Sequence, residues 1–266
     1  MVLNSIAGRI MELDEITITR AIIEEFTSDF LDCTDTDVAL VGGGPANLVA
    51  AKVLAESGVK TVLFERKLAI GGGMWGGGMM MPRIVVQEEA RRILDDFGVN
   101  YTEYKPGYYV ADSIECVCRL GAGATGAGAK IFNLVSVEDV MIREGDAVTG
   151  LVINWTAVGL QKLHVDPMTI RAKVVIDGTG HDADVCRTVA RKIPGALSVI
   201  GEKPMWADMG ECIIMDNTKE VYPGLIATGM AANAVAGSPR MGPVFGGMLL
   251  SGEKAALLAM EKLGIN

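Results

Sequence analysis

Basic charge is scarce in this sequence. Lysine and arginine total 24 against 33 aspartates and glutamates, a net charge of −9 with a pI near 4.8. That balance argues against a nucleic-acid partner, which needs a basic face for the phosphate backbone. Long apolar runs are missing too. Hydrophobic residues make up 50% of the chain, ample for a large core. No stretch of about 18 apolar residues is uninterrupted, so no membrane span is expected. The opening MVLNSIAGRIMELDEITITR puts acidic residues where a secretory leader carries its apolar segment. A cytoplasmic protein is the expectation. Cysteine is sparse and odd in number: Cys33, Cys116, Cys118, Cys186 and Cys212. Such a scattered set does not form a disulfide framework. Read as a strand, ECVCRL would put Cys116 and Cys118 on one face. Buried core thiols are the commoner state of free cysteine, and a soft-metal pair is the alternative. Histidine is scarcest of all. The two that occur, His164 in KLHVDP and His181 in GTGHDAD, each have an aspartate close by.

What is present reads as an α/β chain. Residues 1–35 form an acidic helical lead-in, with apolar residues of ITRAIIEEFTSDFL at helical spacing. DVALVGGG then reads as a strand, PANLVAAKVLAESG as a helix closed by Gly58, and VKTVLFERK as a second strand. That βαβ unit opens a dinucleotide-binding fold. The glycine-dense IGGGMWGGGMMMP suits a loop where backbone approaches a ligand. A helix is expected over VVQEEARRILDDFG. A β-rich insert over about 100–160 follows, its strands including YYVADSIECVCRL, AKIFNLVSVEDVMIRE and AVTGLVINWTAV. AKVVIDGTG returns to the main sheet, GLIATGM is a late strand, and SGEKAALLAMEKL is a last helix. The expectation is one domain over 1–266, with a central parallel sheet.

The turn GGGPAN offers Gly42 for the tight turn and Gly44 for close approach of a pyrophosphate. Ala46 lies in the first turn of the helix, whose N-terminus supplies unpaired N–H groups to an anion. Asn47 stands where the fingerprint has its third glycine. Glu65, 21 residues after Gly44 and at the end of the second strand, suits the hydroxyls of an adenosine ribose. The order of these elements is similar to the glutathione-reductase-like flavoprotein plan. Those proteins place an acidic residue after the late-strand glycine, whereas here Gly229 is followed by Met230. Thioether sulfur accepts hydrogen bonds poorly, so bound FAD is not expected.

His181 follows a parallel-type strand, at the end where α/β sheets bind ligands. With Asp166 it forms an N/O donor pair suited to Fe(II). The residues alone leave this equally open against two histidines satisfied by neighbouring carboxylates.

Taken together, GGGPANLVAA, FERKLAIGGGMWGGGM, NWTAV with HVDP, TGHDA and RMGPVFGGMLLSG resemble the thiamine thiazole synthase family, in its archaeal branch, over nearly the whole chain. The resemblance implies a flavoprotein-like fold without flavin and a homo-octamer with sites shared between subunits. NAD is then a substrate: nicotinamide leaves, and ADP-ribose isomerises and condenses with glycine. Sulfur addition closes an adenylated thiazole. Some members take the sulfur from their own cysteine at the position that His164 occupies here. An imidazole has none to give, so sulfide is supplied and turnover is multiple. Fe(II) is then bound by Asp166 and His181, with Asp166 reaching from a neighbouring subunit. Glu65 and Arg66 hold the adenosine half, Gly73, Val137 and Met230 line the same dinucleotide, and Arg240 in SPRMGP clamps the glycine carboxylate. His164 is a pocket residue with acid–base duty. Three rival readings stand beside this one: an FAD-dependent oxidoreductase, a ribose 1,5-bisphosphate isomerase, and a non-catalytic NAD- or ADP-ribose-binding protein.

Overall fold

The computed structural model describes residues 13–143 and 145–265. The first part of the helical lead-in therefore lies outside the described residues. Elements run α1 (Glu15–Asp32), β1 (Asp35–Val41), α2 (Pro45–Glu56), β2 (Thr61–Glu65), β3 (Arg83–Val86), α3 (Glu88–Asp96), β4 (Tyr101–Lys105) and β5 (Tyr108–Asp112). They continue α4 (Ser113–Gly126), β6 (Lys130–Asn133), β7 (Val135–Arg143), β8 (Ala147–Trp155), α5 (Thr156–Leu160), β9 (Met168–Asp177) and α6 (Asp184–Lys192). The last are α7 (Ala207–Asn217), β10 (Lys219–Tyr222), β11 (Leu225–Ala227), α8 (Met230–Ala236) and α9 (Gly246–Leu263). None of the described helices is long and apolar enough to cross a membrane.

The main sheet has the order β10-β11-β9-β1-β2-β6, and from β11 to β6 all neighbours are parallel. The registers Val41↔Phe64, Val41↔Asp177 and Ala227↔Asp177 bring the carboxyl ends of the strands to one edge. Strand alternation divides the core. Val38, Leu40, Leu63, Val174 and Ile176 face α2, α3, α4 and α9. Ala39, Val41, Val62, Phe64 and Val175 face the other way, toward β7, β8, α6 and α8. With both faces covered, these strands read as nearly continuous apolar runs. The expected α/β dinucleotide-binding fold is the fold observed.

The stretch expected to be a β-rich insert is more mixed. ECVCRL is helical, not a strand: it lies in α4, which Asp112 caps by accepting from the backbone N–H of Ile114 and Glu115. Cys116, Val117, Leu120 and Ala124 bury one helical face, while Cys118 is exposed, so the two cysteines form no pair. Burial pushes the Cys116 thiol up to about 12, the state of an inert core residue. AKIFNLVSVEDVMIRE is two strands. Leu134, at φ +57°, breaks them apart, so that β6 joins the main sheet and β7 pairs with β8. Val85 and Val86, expected in a helix, belong to β3 of a small antiparallel sheet, β3-β5-β4.

Candidate active site

At the carboxyl edge of the parallel strands lies a cavity of about 1480 Å³. Its floor is built first by the turn after β1. Gly42 has φ +89°, and a Cβ there would stand 2.8 Å from the carbonyl oxygen of Gly178, so only glycine closes this turn. Gly44 precedes α2 without a side-chain cap, and Pro45 opens the helix. The first N–H groups of α2 thus have no intrahelical acceptor and face the anion-binding position of such folds. Glu65, buried at the end of β2, ties this turn down. Its Oε2 accepts from the N–H of Gly43 at 2.7 Å and its Oε1 from that of Lys67 at 2.8 Å.

A second wall is the segment after β9. Asp177 is fully buried and accepts from the N–H of Thr179 at 3.0 Å, the Thr179 hydroxyl at 2.6 Å and the N–H of Cys186 at 2.9 Å. The Thr179 Oγ1 in turn accepts from the N–H of Asp184 at 2.7 Å. These bonds fold Gly180–Asp182 into one 3₁₀ turn that carries His181. The His181 Nδ1 meets both carboxylate oxygens of Glu202, at 2.7 and 2.8 Å. Its partner is therefore not a neighbouring aspartate. Those aspartates go to Arg66 instead, at 3.0 Å for Asp184 and 3.3 Å for Asp182. Burial pushes the Asp184 carboxyl up, with Arg66 opposing it.

Gly42, Gly44, Ala46, Glu65, Arg66, Gly73, Val137, His181, Met230 and Arg240 all line this one cavity. Met230 is buried at the start of α8, and Arg240 makes no ion pair among the described residues. His164 and Asp166 do not line it. They lie on the irregular segment between α5 and β9, where every residue from 161 to 167 is exposed. No group of three or more metal-donor side chains forms among the described residues. The cavity also has residues the sequence did not reveal: Arg187, Arg191 and Lys203 add positive charge, and Glu202 holds the histidine. Glu202 sits in GEKP, 21 residues from His181, and no spacing signals that contact.

Comparisons with known proteins identify the family. A thiamine thiazole synthase from Methanococcoides burtonii is 71% identical over 258 residues, covering 96% of this chain and all of that one. One from Pyrococcus furiosus is 53% identical over 254 residues, covering 95% of this chain and all of that one. The crystal structure of Thermovibrio ammonificans THI4 superposes with a TM-score of 0.93 at 53% identity, covering 95% of this chain and 99% of that one. The profile of the Thi4 family matches residues 19–245, and the chain belongs to that family.

Proposed function

We propose that this chain is a thiamine thiazole synthase that converts NAD, glycine and sulfide to an adenylated thiazole, releasing nicotinamide, in the cytoplasm. The observation that carries the reading is a single cavity. It joins the Gly42–Gly44 turn and Glu65, fit for a dinucleotide, to His181 and the unpaired Arg240. A purely binding protein needs only the first pair.

The residues assign themselves roles by chemistry. The N-terminus of α2 receives the pyrophosphate, and Glu65 with Arg66 holds the adenosine half. Val137, Met230 and Gly73 shape the walls. The Arg240 guanidinium matches a glycine carboxylate in two-point geometry. Asp166 and His164 come to the cavity on the 161–167 segment of a neighbouring subunit in a homo-octamer. In support, Leu160, Leu163 and Val165 around them are each more than half exposed, an unfavourable state for a monomer surface. His164 carries no sulfur, so sulfide is taken from solution and the protein survives each turnover. Its imidazole moves protons in the isomerisation or dehydration steps.

An Fe(II) ion fits the donor set. With Nδ1 engaged by Glu202, His181 has its other nitrogen for a metal, and a carboxylate from Asp166 completes an N/O pair with open positions. When bound, the metal supplies Lewis acidity and lowers the pKa of coordinated H₂S. FAD is not part of this reading, since Met230 stands where a flavin linker wants an acceptor.

Anaerobic incubation with NAD, glycine, Fe(II) and sulfide tests it. Adenylated thiazole in molar excess over protein is expected. One equivalent at most would sink the multiple-turnover claim. Nicotinamide left attached under every condition would sink the synthase reading in favour of a binding protein.

A further inference from the structure

The contact between His181 and Glu202 joins two loops that the chain order keeps apart. Glu202 is the more buried partner: its side chain is 15% exposed against 50% for His181. Both of its oxygens lie within 2.8 Å of one ring nitrogen, and it forms no other ion pair among the described residues. The backbone on either side of it is pinned. The N–H of Gly201 donates to the carbonyl of Ala234 at 2.8 Å, and that of Lys203 to Ser238 at 3.0 Å. Ser238 itself is held by Asn217, whose Nδ2 reaches its Oγ at 2.8 Å and the Asn233 Oδ1 at 2.7 Å, all buried. The same strap reaches Arg240, whose N–H donates to the carbonyl of Lys203 at 3.3 Å, while its own carbonyl accepts from Trp206 at 3.0 Å. A carboxylate held this firmly is not a mobile surface charge that happens to meet an imidazole.

A carboxylate only accepts. The Nδ1 facing it must carry the proton, and a neutral ring then has its lone pair on Nε2. We infer that Glu202 is a positioning residue that sets the tautomer and orientation of His181 and so prepares Nε2 for a divalent metal. The inference rests on the proposed role of His181 as a metal ligand. Ligating histidines commonly donate their second nitrogen to a carboxylate, and loss of that partner typically weakens metal affinity by about 10- to 100-fold. The strap adds a geometric consequence. Glu202 and Arg240 belong to one hydrogen-bonded unit, so the metal-binding ring and the guanidinium are held in register.

Two measurements on the full-length protein test this. Co(II), read by its visible absorption, should bind the Glu202→Ala protein roughly 10- to 100-fold more weakly. Glu202→Gln, whose amide oxygen still accepts from Nδ1, should recover most of the affinity. A parental far-UV circular dichroism spectrum in both variants separates the effect from misfolding. Imidazole ¹⁵N spectra of metal-free protein give a second readout. With only two histidines in the chain, His164→Gln leaves the His181 signal alone. At alkaline pH that ring should be protonated on Nδ1, and Glu202→Ala should shift it toward the Nε2-protonated form preferred by free imidazole. Should Glu202→Ala keep parental Co(II) affinity while His181→Ala loses the metal, this inference alone falls. An unchanged tautomer in Glu202→Ala would overturn it as well. Parental affinity in His181→Ala would overturn the ligand assignment and the inference together.

Discussion

Asn47 and Gly178 fit one another across the floor of the cavity. The Asn47 amide is fully buried, and its Nδ2 donates to the carbonyls of Val41 and Gly42, both at 2.9 Å. A Cβ on Gly178 would stand 2.5 Å from the Asn47 Cγ. The third glycine of the dinucleotide fingerprint has, in effect, been moved across to the neighbouring strand. The polar side chain at position 47 staples the turn after β1, and the space it needs comes from position 178.

This exchange predicts a coupling. Gly178→Ala should destabilise the protein by about 1–3 kcal/mol, because the amide has no room to retreat. Adding Asn47→Gly should cost less than the sum of the single changes, since each relieves the other's crowding. Urea unfolding of the four proteins measures the cycle. Strict additivity would mean that the two positions do not share this space.

How much could be read beforehand follows from the range of the interactions. The β1–α2–β2 unit was legible because its signals are local: an apolar run, Gly42 in a left-handed turn, Pro45 at a helix start, and Glu65 at a strand end. α4 was not. Its capping residue, Asp112, ends a genuine strand, so strand and helix run together without a turn signal. The aromatic and β-branched residues of YYV carried the strand reading onward into a helix rich in glycine. Glu202 lay beyond reach for a different reason. Its contact with His181 is made by two loops that only the folded sheet and α8 bring together. The 161–167 segment is a third case. HVDP is recognisable as a pattern, but the described chain gives its side chains no partner surface to act on.

Ser251, on α9, is the hub of a buried hydroxyl chain under the cavity. The N–H of Gly229 donates to its Oγ at 2.8 Å. The Thr218 hydroxyl spends its proton on the carbonyl of Ile214 at 2.8 Å, so at 2.6 Å it must accept from Ser251. The Thr228 hydroxyl, at 2.8 Å, is then the donor to Ser251. Ser251→Ala would strand two buried donors beside Met230. A loss of about 1–3 kcal/mol in unfolding free energy is expected. NAD affinity should weaken with it, because the Gly229–Met230 backbone loses its anchor. Calorimetric titration with NAD checks the second effect, and parental affinity would dissociate this hub from the site.

Glu211 should make stability depend on pH in the direction opposite to an ordinary paired carboxylate. Burial raises its pKa above the ordinary 4.5, against the lowering effect of the Gly247 N–H and Gln87, and its Oε1 is buried without a partner. An acid with a raised folded pKa contributes stability fully below its unfolded value and loses it as pH rises through the folded one. Glu211→Gln keeps the shape and removes the charge. The melting temperature of the variant minus that of the parent should therefore grow as pH rises from the ordinary 4.5 toward neutrality. A difference that stays flat across that window would show that Glu211 ionises without cost where it stands.

Arg240 offers the sharpest separation of the two proposed substrates, NAD and glycine. It lines the cavity, its backbone is bonded to Lys203 and Trp206, and no carboxylate among the described residues neutralises it. On the proposed reading, lysine would keep the charge but lose the planar fork, and with it one of two charge-assisted hydrogen bonds to glycine. Such a bond contributes about 1.5–3 kcal/mol, which corresponds to a rise in the KM for glycine of roughly tenfold or more. The KM for NAD should hold, because the same reading has the dinucleotide gripped at the α2 end of the cavity. Steady-state kinetics on Arg240→Lys with each substrate varied in turn distinguishes the cases. An increase for NAD alone would place Arg240 on the phosphates, and the glycine carboxylate would need another partner among Lys203, Arg187 and Arg191.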